Sequence, residues 1–206
     1  MRQICLLCIG LSATVLFAAD ERLTFADGLF RRGLSEQAAA EYEAFLASPG
    51  DTAREALTEA RFNLASCYEQ TGKHEAARRL YREVVDQAEG DLAAAAKLRL
   101  SMSLLDAGLA AEALPLLETL SVAKASTALI DAARYRLALC YELVDRPMDA
   151  EALYKFIANR PGEYAAHARL ARAGLVAKAG RSEEAEALYR EMMTLEEDPA
   201  RKQEIA

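Results

Sequence analysis

Gly72-Lys73-His74-Glu75-Ala76-Ala77-Arg78-Arg79-Leu80-Tyr81 returns, altered but in step, as Gly180-Arg181-Ser182-Glu183-Glu184-Ala185-Glu186-Ala187-Leu188-Tyr189. Weaker copies start at Gly33, Gly108 and Asp145, so successive starts lie 39, 36, 37 and 35 residues apart. Five residues into each copy stands an alanine (Ala38, Ala77, Ala113, Ala150, Ala185), and four further on a large side chain (Tyr42, Tyr81, Leu117, Tyr154, Tyr189). A second echo precedes each turn: Phe25-Ala26 then Leu29, Leu64-Ala65 then Tyr68, Leu100-Ser101 then Leu104, Leu137-Ala138 then Tyr141, and Arg172-Ala173 then Val176. Residues three and four apart share one face of an α-helix, so each copy predicts a pair of amphipathic helices. The small residue lets the two helices approach and the large one fills the gap to the next pair. Gly, or Asp145, supplies the turn conformation that reverses the chain.

The prolines fit this phase with one exception. Pro49 and Pro161 fall between copies, where a helix should stop, and Pro147 falls where a first helical turn tolerates it. Pro115 lies about a turn and a half into a helix and should bend it. Composition supports an all-helical chain: of 206 residues 52% are hydrophobic and 28% charged, with only 10 Gly and 5 Pro. That excludes a disordered or low-complexity chain. The 32 acidic residues outnumber the 25 basic ones, for a formal charge of −7, which repels phosphate backbones and anionic lipid. Nucleic acid is therefore not an expected partner.

The amino terminus carries an address. Met1-Arg2-Gln3 is followed by an apolar run from Ile4 to Ala19, and charges begin at Asp20. A basic start, an apolar stretch and small residues at its exit make a secretory signal peptide, cleaved after Ala18 or Ala19. A retained anchor is the alternative, although the run is short of the roughly 20 residues that span a bilayer. Cys5 and Cys8 lie inside this segment, and Cys8 comes too early for a lipid-bearing cysteine. Cys67 and Cys140 remain, two repeats apart and beyond the reach of a disulfide, each just before a second-echo tyrosine. They are expected to be buried free thiols acting as small hydrophobes.

The pattern Leu64-Ala65…Tyr68, then Ala77…Tyr81, repeated five times, resembles the tetratricopeptide repeat (TPR) family. The resemblance covers roughly residues 20–197 and implies an all-α, right-handed α-solenoid of about five helix-turn-helix repeats: 20–50, 51–90, 91–123, 124–161 and 162–197. Residues 198–206, with Pro199, read as the start of a further helix or a short cap. The extended first helices are similar in style to bacterial cell-envelope members, the Tol-binding cell-division coordinator and the outer-membrane assembly lipoprotein. The position usually held by a first-helix Trp is basic in every copy: Arg22, Arg61, Lys97, Arg134 and Arg169. Their long stems are expected to cover helix seams while the heads reach water.

In that family the first helices line a concave groove. The resemblance places Phe62, Ser66 and Glu69 there in the second copy, and Leu98, Met102 and Leu105 in the third. Tyr135, Leu139 and Leu143 follow in the fourth, with His167, Leu170 and Lys178 in the fifth. The apolar middle of this set implies a groove for a helix or extended peptide. The members that clamp a carboxylate terminus are a poorer match: Asn63 and Arg99 fit two of their slots, but Leu23 and Asp27 occupy the leading ones. No chemistry competes with binding. The two histidines, His74 and His167, stand far apart, no His/Cys/carboxylate cluster has ligand spacing, and both glycine-rich phosphate motifs are absent. Glu183-Glu184 and Glu196-Glu197 read as solvated charge.

The sequence thus predicts an exported, non-enzymatic scaffold of the periplasm or the periplasmic face of the outer membrane. It has no catalytic residue, cofactor or metal, and it binds another protein or a peptide; self-association is left open. No direct membrane insertion is expected once the signal is removed. The front part of a longer array is one alternative, and an envelope or polysaccharide enzyme is the other.

Overall fold

The computed structural model describes residues 19–50 and 52–195, and its regular structure there is entirely helical. Of the export segment read at residues 1–19, all but Ala19 lies outside the described residues, as does the further helix read at 198–206. Ten helices follow in order: α1 (19–31), α2 (Ser35–Ala47), α3 (Arg54–Gln70), α4 (His74–Gln87), α5 (Gly90–Asp106), α6 (Ala110–Ser121), α7 (Thr127–Leu143), α8 (Pro147–Ala158), α9 (Ala165–Lys178) and α10 (Ser182–Leu195). They make five hairpins, α1/α2 to α9/α10. The chain divides into two compact units, up to Ser103 and from Leu104, with the division falling inside α5.

One backbone device closes every hairpin. Gly33, Gly72, Gly108 and Gly180 have φ between 73° and 77°, and Asp145 has φ 59°. In each turn this residue donates its N–H three residues back, and the next residue donates five back. Gly72 N–H reaches the Glu69 carbonyl at 3.2 Å, and Lys73 N–H reaches Tyr68 at 2.8 Å. Asp145 and Arg146 repeat this to Glu142 (3.3 Å) and Tyr141 (2.8 Å). Such a pair satisfies carbonyls that the helix end leaves without partners. The same Lys73 and Arg146 then accept the first bond of the next helix, from Ala77 (3.0 Å) and Ala150 (3.1 Å).

In the first unit Tyr42 and Phe45 of α2 are fully buried against Ala26 and Leu29 of α1 and Ala60, Leu64 and Cys67 of α3. In the second unit Tyr154 and Ile157 of α8 pack with Ala138 of α7 and Ala168 of α9. Each fully buried large side chain contributes roughly 1.5–3 kcal/mol, so apolar seams hold each unit together, with both cysteines among the described residues free. α6 runs on through Pro115, which is exposed, as is Ala111, the residue whose carbonyl Pro115 cannot bond.

Four members of the basic series are engaged within the fold. Arg22 pairs with Glu41 at 3.5 Å and Arg61 with Glu83 at 3.6 Å, each tying the two helices of a hairpin. The Arg134 guanidinium lies 5.3 Å from the Phe156 ring centre, and Arg169 donates to the Ala158 carbonyl at 3.0 Å. Each therefore has a partner within the fold.

No atom lies within 4 Å of a Cβ placed on Gly72, so Gly72→Ala adds only the strain of a left-handed L-residue. A loss of about 1 kcal/mol is expected, read as a lower urea midpoint with unchanged slope. Asp145→Gly relieves the same strain and should leave the midpoint level or raise it. An unshifted midpoint for Gly72→Ala would contradict this account.

Candidate functional site

The first helices α7 and α9 of the second unit carry the most open of the groove positions. Tyr135 of α7 is half-buried at the centre of an aromatic cluster. Its ring centre is 6.0 Å from Tyr154 of α8, 5.2 Å from Tyr164 at the start of α9, and 6.1 Å from His167. One turn on, Leu139 is half-buried against the core, and the next turn brings out Leu143 with 63% of its surface exposed. Leu170 on α9 is 43% exposed. Glu142 lies at the end of this row. It accepts a hydrogen bond from the Tyr154 hydroxyl at 2.7 Å and lies 3.9 Å from the Lys178 ammonium, whose side chain is 78% exposed. Burial, and then the bond to Glu142, push Tyr154 above the usual phenol range, so it stays a neutral donor.

The first unit repeats this arrangement. Tyr81 of α4 donates to Glu69 of α3 at 3.0 Å, and Arg99 of α5 lies 3.9 Å from the same carboxylate. Burial raises Tyr81 as well. Phe62 stands edge-on to the Tyr81 ring, 5.6 Å between centres. Ser66 differs from expectation. It is buried, 3.1 Å from the Tyr81 hydroxyl and hydrogen-bonded to the Phe62 carbonyl, so it serves packing and offers nothing to a partner. Leu98 and Met102 are half-buried on α5, as is Leu105 where α5 continues into the second unit. The tyrosine-to-carboxylate bonds were not read from the sequence; their signal was a Glu three residues before the turn together with a Tyr nine after it.

His74 is exposed at the start of α4, and among the described residues no three His, Cys, Asp or Glu side chains gather as metal ligands. Cys67 and Cys140 are free and buried, as expected. Burial pushes the Cys67 thiol up to about 11 and raises Cys140 too, whose Sγ donates to the Ala110 carbonyl at 3.3 Å.

Five helical hairpins closed by one turn geometry define a repeat protein of the helix-turn-helix class. Tetratricopeptide repeat profiles match residues 58–160, half of the chain, and residues 23–92, and a PPR repeat profile matches residues 175–196. The chain belongs to the tetratricopeptide repeat family, and its fold class is the all-α TPR solenoid; the repeats of this family serve as protein-interaction scaffolds. No curated protein matches the sequence.

Among solved structures, YrrB, "a TPR protein with an unusual peptide-binding site", is 17% identical with a TM-score of 0.68, covering 87% of each chain. MamA from Desulfovibrio magneticus RS-1 is 17% identical with a TM-score of 0.69, covering 86% of this chain and 94% of that one. A tetratricopeptide repeat protein from Parabacteroides merdae is 18% identical with a TM-score of 0.71, covering 85% of this chain and 66% of that one. At such identities the likeness is one of fold.

With Cys5 and Cys8 replaced by Ser, the native chain should label negligibly with a thiol reagent at mildly alkaline pH and take up two equivalents once denatured. Prompt labelling of the native chain would show that these thiols are accessible.

Proposed function

We propose that the chain binds another protein or a peptide on the first-helix face of α7 and α9, and does so as an exported scaffold without catalysis. The observation that carries this reading is the exposure of Leu143 and Leu170 beside half-buried Leu139 and Tyr135, on helices already fixed by the aromatic cluster and by Glu142. A preformed apolar surface loses little conformational entropy on binding, so its burial is realised as affinity. The peptide-binding site in YrrB's description supports the same use of the fold. Action in the periplasm, or on the periplasmic face of the outer membrane, rests on the signal-like residues 1–19.

Leu143→Glu with Leu170→Glu should weaken binding of a captured partner by at least about tenfold, with the circular dichroism spectrum unchanged. A folded double variant that binds as tightly as the parent would remove this face from consideration. Fused to a reporter active only outside the cytoplasm, residues 1–19 should give activity. A silent fusion would refute export.

A further inference from the structure

Along a hairpin array each first helix is covered on one side by the preceding second helix: α2 lies against α3, α6 against α7 and α8 against α9. The covered positions recur. Leu64, Leu100 and Leu137 are only 4%, 2% and 4% exposed, Cys67, Ser103 and Cys140 are buried beside them, and Ala60, Ala96 and Ala133 are buried one turn earlier. On α1 the corresponding residues are Phe25, Gly28 and Glu21. Phe25 is 58% exposed, no atom lies within 4 Å of a Cβ on Gly28, and an open hollow of about 530 Å³ is lined by Asp20, Glu21, Phe25, Gly28 and Arg32 among others.

We propose that this face of α1 receives α10 from a second copy of the chain, so that copies join head to tail. The interior seams set the register. The second-helix residue six places after the turn meets the following first helix. Arg78 donates to the carbonyl and hydroxyl of Ser103 (3.4 and 3.3 Å), and Glu151 lies 3.7 Å from Arg172, which occupies the Phe25 position of its repeat. On α10 that residue is Glu186, which the same register sets opposite the turn of α1 from Phe25 to Gly28.

Short links make neighbouring helices antiparallel. Arg190, one turn beyond Glu186, therefore falls toward Glu21 and Asp20, with Met193 beyond it, while Glu186 falls toward Arg32. Opposite charges meet at both ends around Phe25. Glu186 and Arg190 are 62% and 74% exposed and paired with each other at 2.5 Å, and Met193 is 36% exposed. Glu21 selects the occupant. Interior seams hold alanine there, whereas an acid calls for a cation from the docked helix. α10 supplies one in Arg190, ten residues after its turn; α2 and α6 have Glu43 and Glu118 there, while α4 and α8, which have Arg82 and Lys155, already meet α5 and α9.

Such a contact joins two different surfaces and need not close, so the weight-average mass of the full chain in sedimentation should climb with concentration without levelling at a dimer. Phe25→Glu alone and Met193→Glu alone should each hold the chain at monomer mass with unchanged circular dichroism. An equimolar mixture of the two retains one intact donor and one intact acceptor and should stop at dimer mass. Glu21→Arg should weaken association, and Arg190→Glu in the same chain should restore it. A parent chain that stays monomeric, as it would if residues 1–18 covered Phe25, overturns the proposal. So does association indifferent to Phe25→Glu, or a mixture that remains monomeric.

Discussion

The left-handed residue at each hairpin tip is the constraint on which the architecture depends. Because the residue after it both completes the closing bonds of one helix and accepts the first bond of the next, the second helix always starts at the same phase. The alanine five residues on and the large side chain nine on therefore always face the partner helix, and Ala38, Ala77, Ala113 and Ala150 are wholly buried. The unequal repeat lengths are absorbed elsewhere. The links between hairpins run over residues 48–53, 88–89, 122–126 and 159–164, and helix length varies too, from 12 residues in α6 and α8 to 17 in α3, α5 and α7.

A second consequence follows from using tyrosine as the large residue. A buried phenol must find an acceptor, and the acceptor here is a carboxylate on the first helix of the same hairpin: Asp27 for Tyr42, Glu69 for Tyr81 and Glu142 for Tyr154. In the third hairpin the large residue is Leu117, which needs no acceptor, and the place three before the turn is Leu105; in the first that place is Phe30, and Tyr42 bonds Asp27 three residues earlier instead. Core chemistry and face chemistry are therefore coupled. Two of the carboxylates that satisfy the tyrosines, Glu69 and Glu142, are those beside which Arg99 and Lys178 stand.

These couplings explain what was legible in the sequence. Turn positions, helix pairing and the burial of Cys67 and Cys140 all follow from spacing, which the backbone enforces locally. The exposure of individual face residues does not. Stepping by fours from Phe62 treats Ser66 as open, yet the Tyr81 hydroxyl crosses from α4 and takes Ser66 into the seam. Leu139 and Leu143 differ for a related reason: Leu139 sits level with the buried Tyr154 and packs against its cluster, while Leu143 lies at the last turn of α7, where that packing has run out. Burial on a repeat face is a tertiary property, set by what the neighbouring hairpin brings across.

Net charge is an incomplete guide to what the α7/α9 face would accept. α9 carries His167, Arg169, Arg172 and Lys178 and no acid, whereas α10 carries Glu183, Glu184, Glu186 and Glu191 against Arg190 alone. The acid on the face, Glu142, already bonds Tyr154 and stands beside Lys178. An approaching peptide therefore meets leucines, aromatic edges and an exposed ammonium, although the chain as a whole bears −7. Exposed charges act over about a Debye length, roughly 8 Å at physiological ionic strength, so these nearby groups outweigh the distant acids. A neutral or acidic amphipathic segment is the partner this face would repel least.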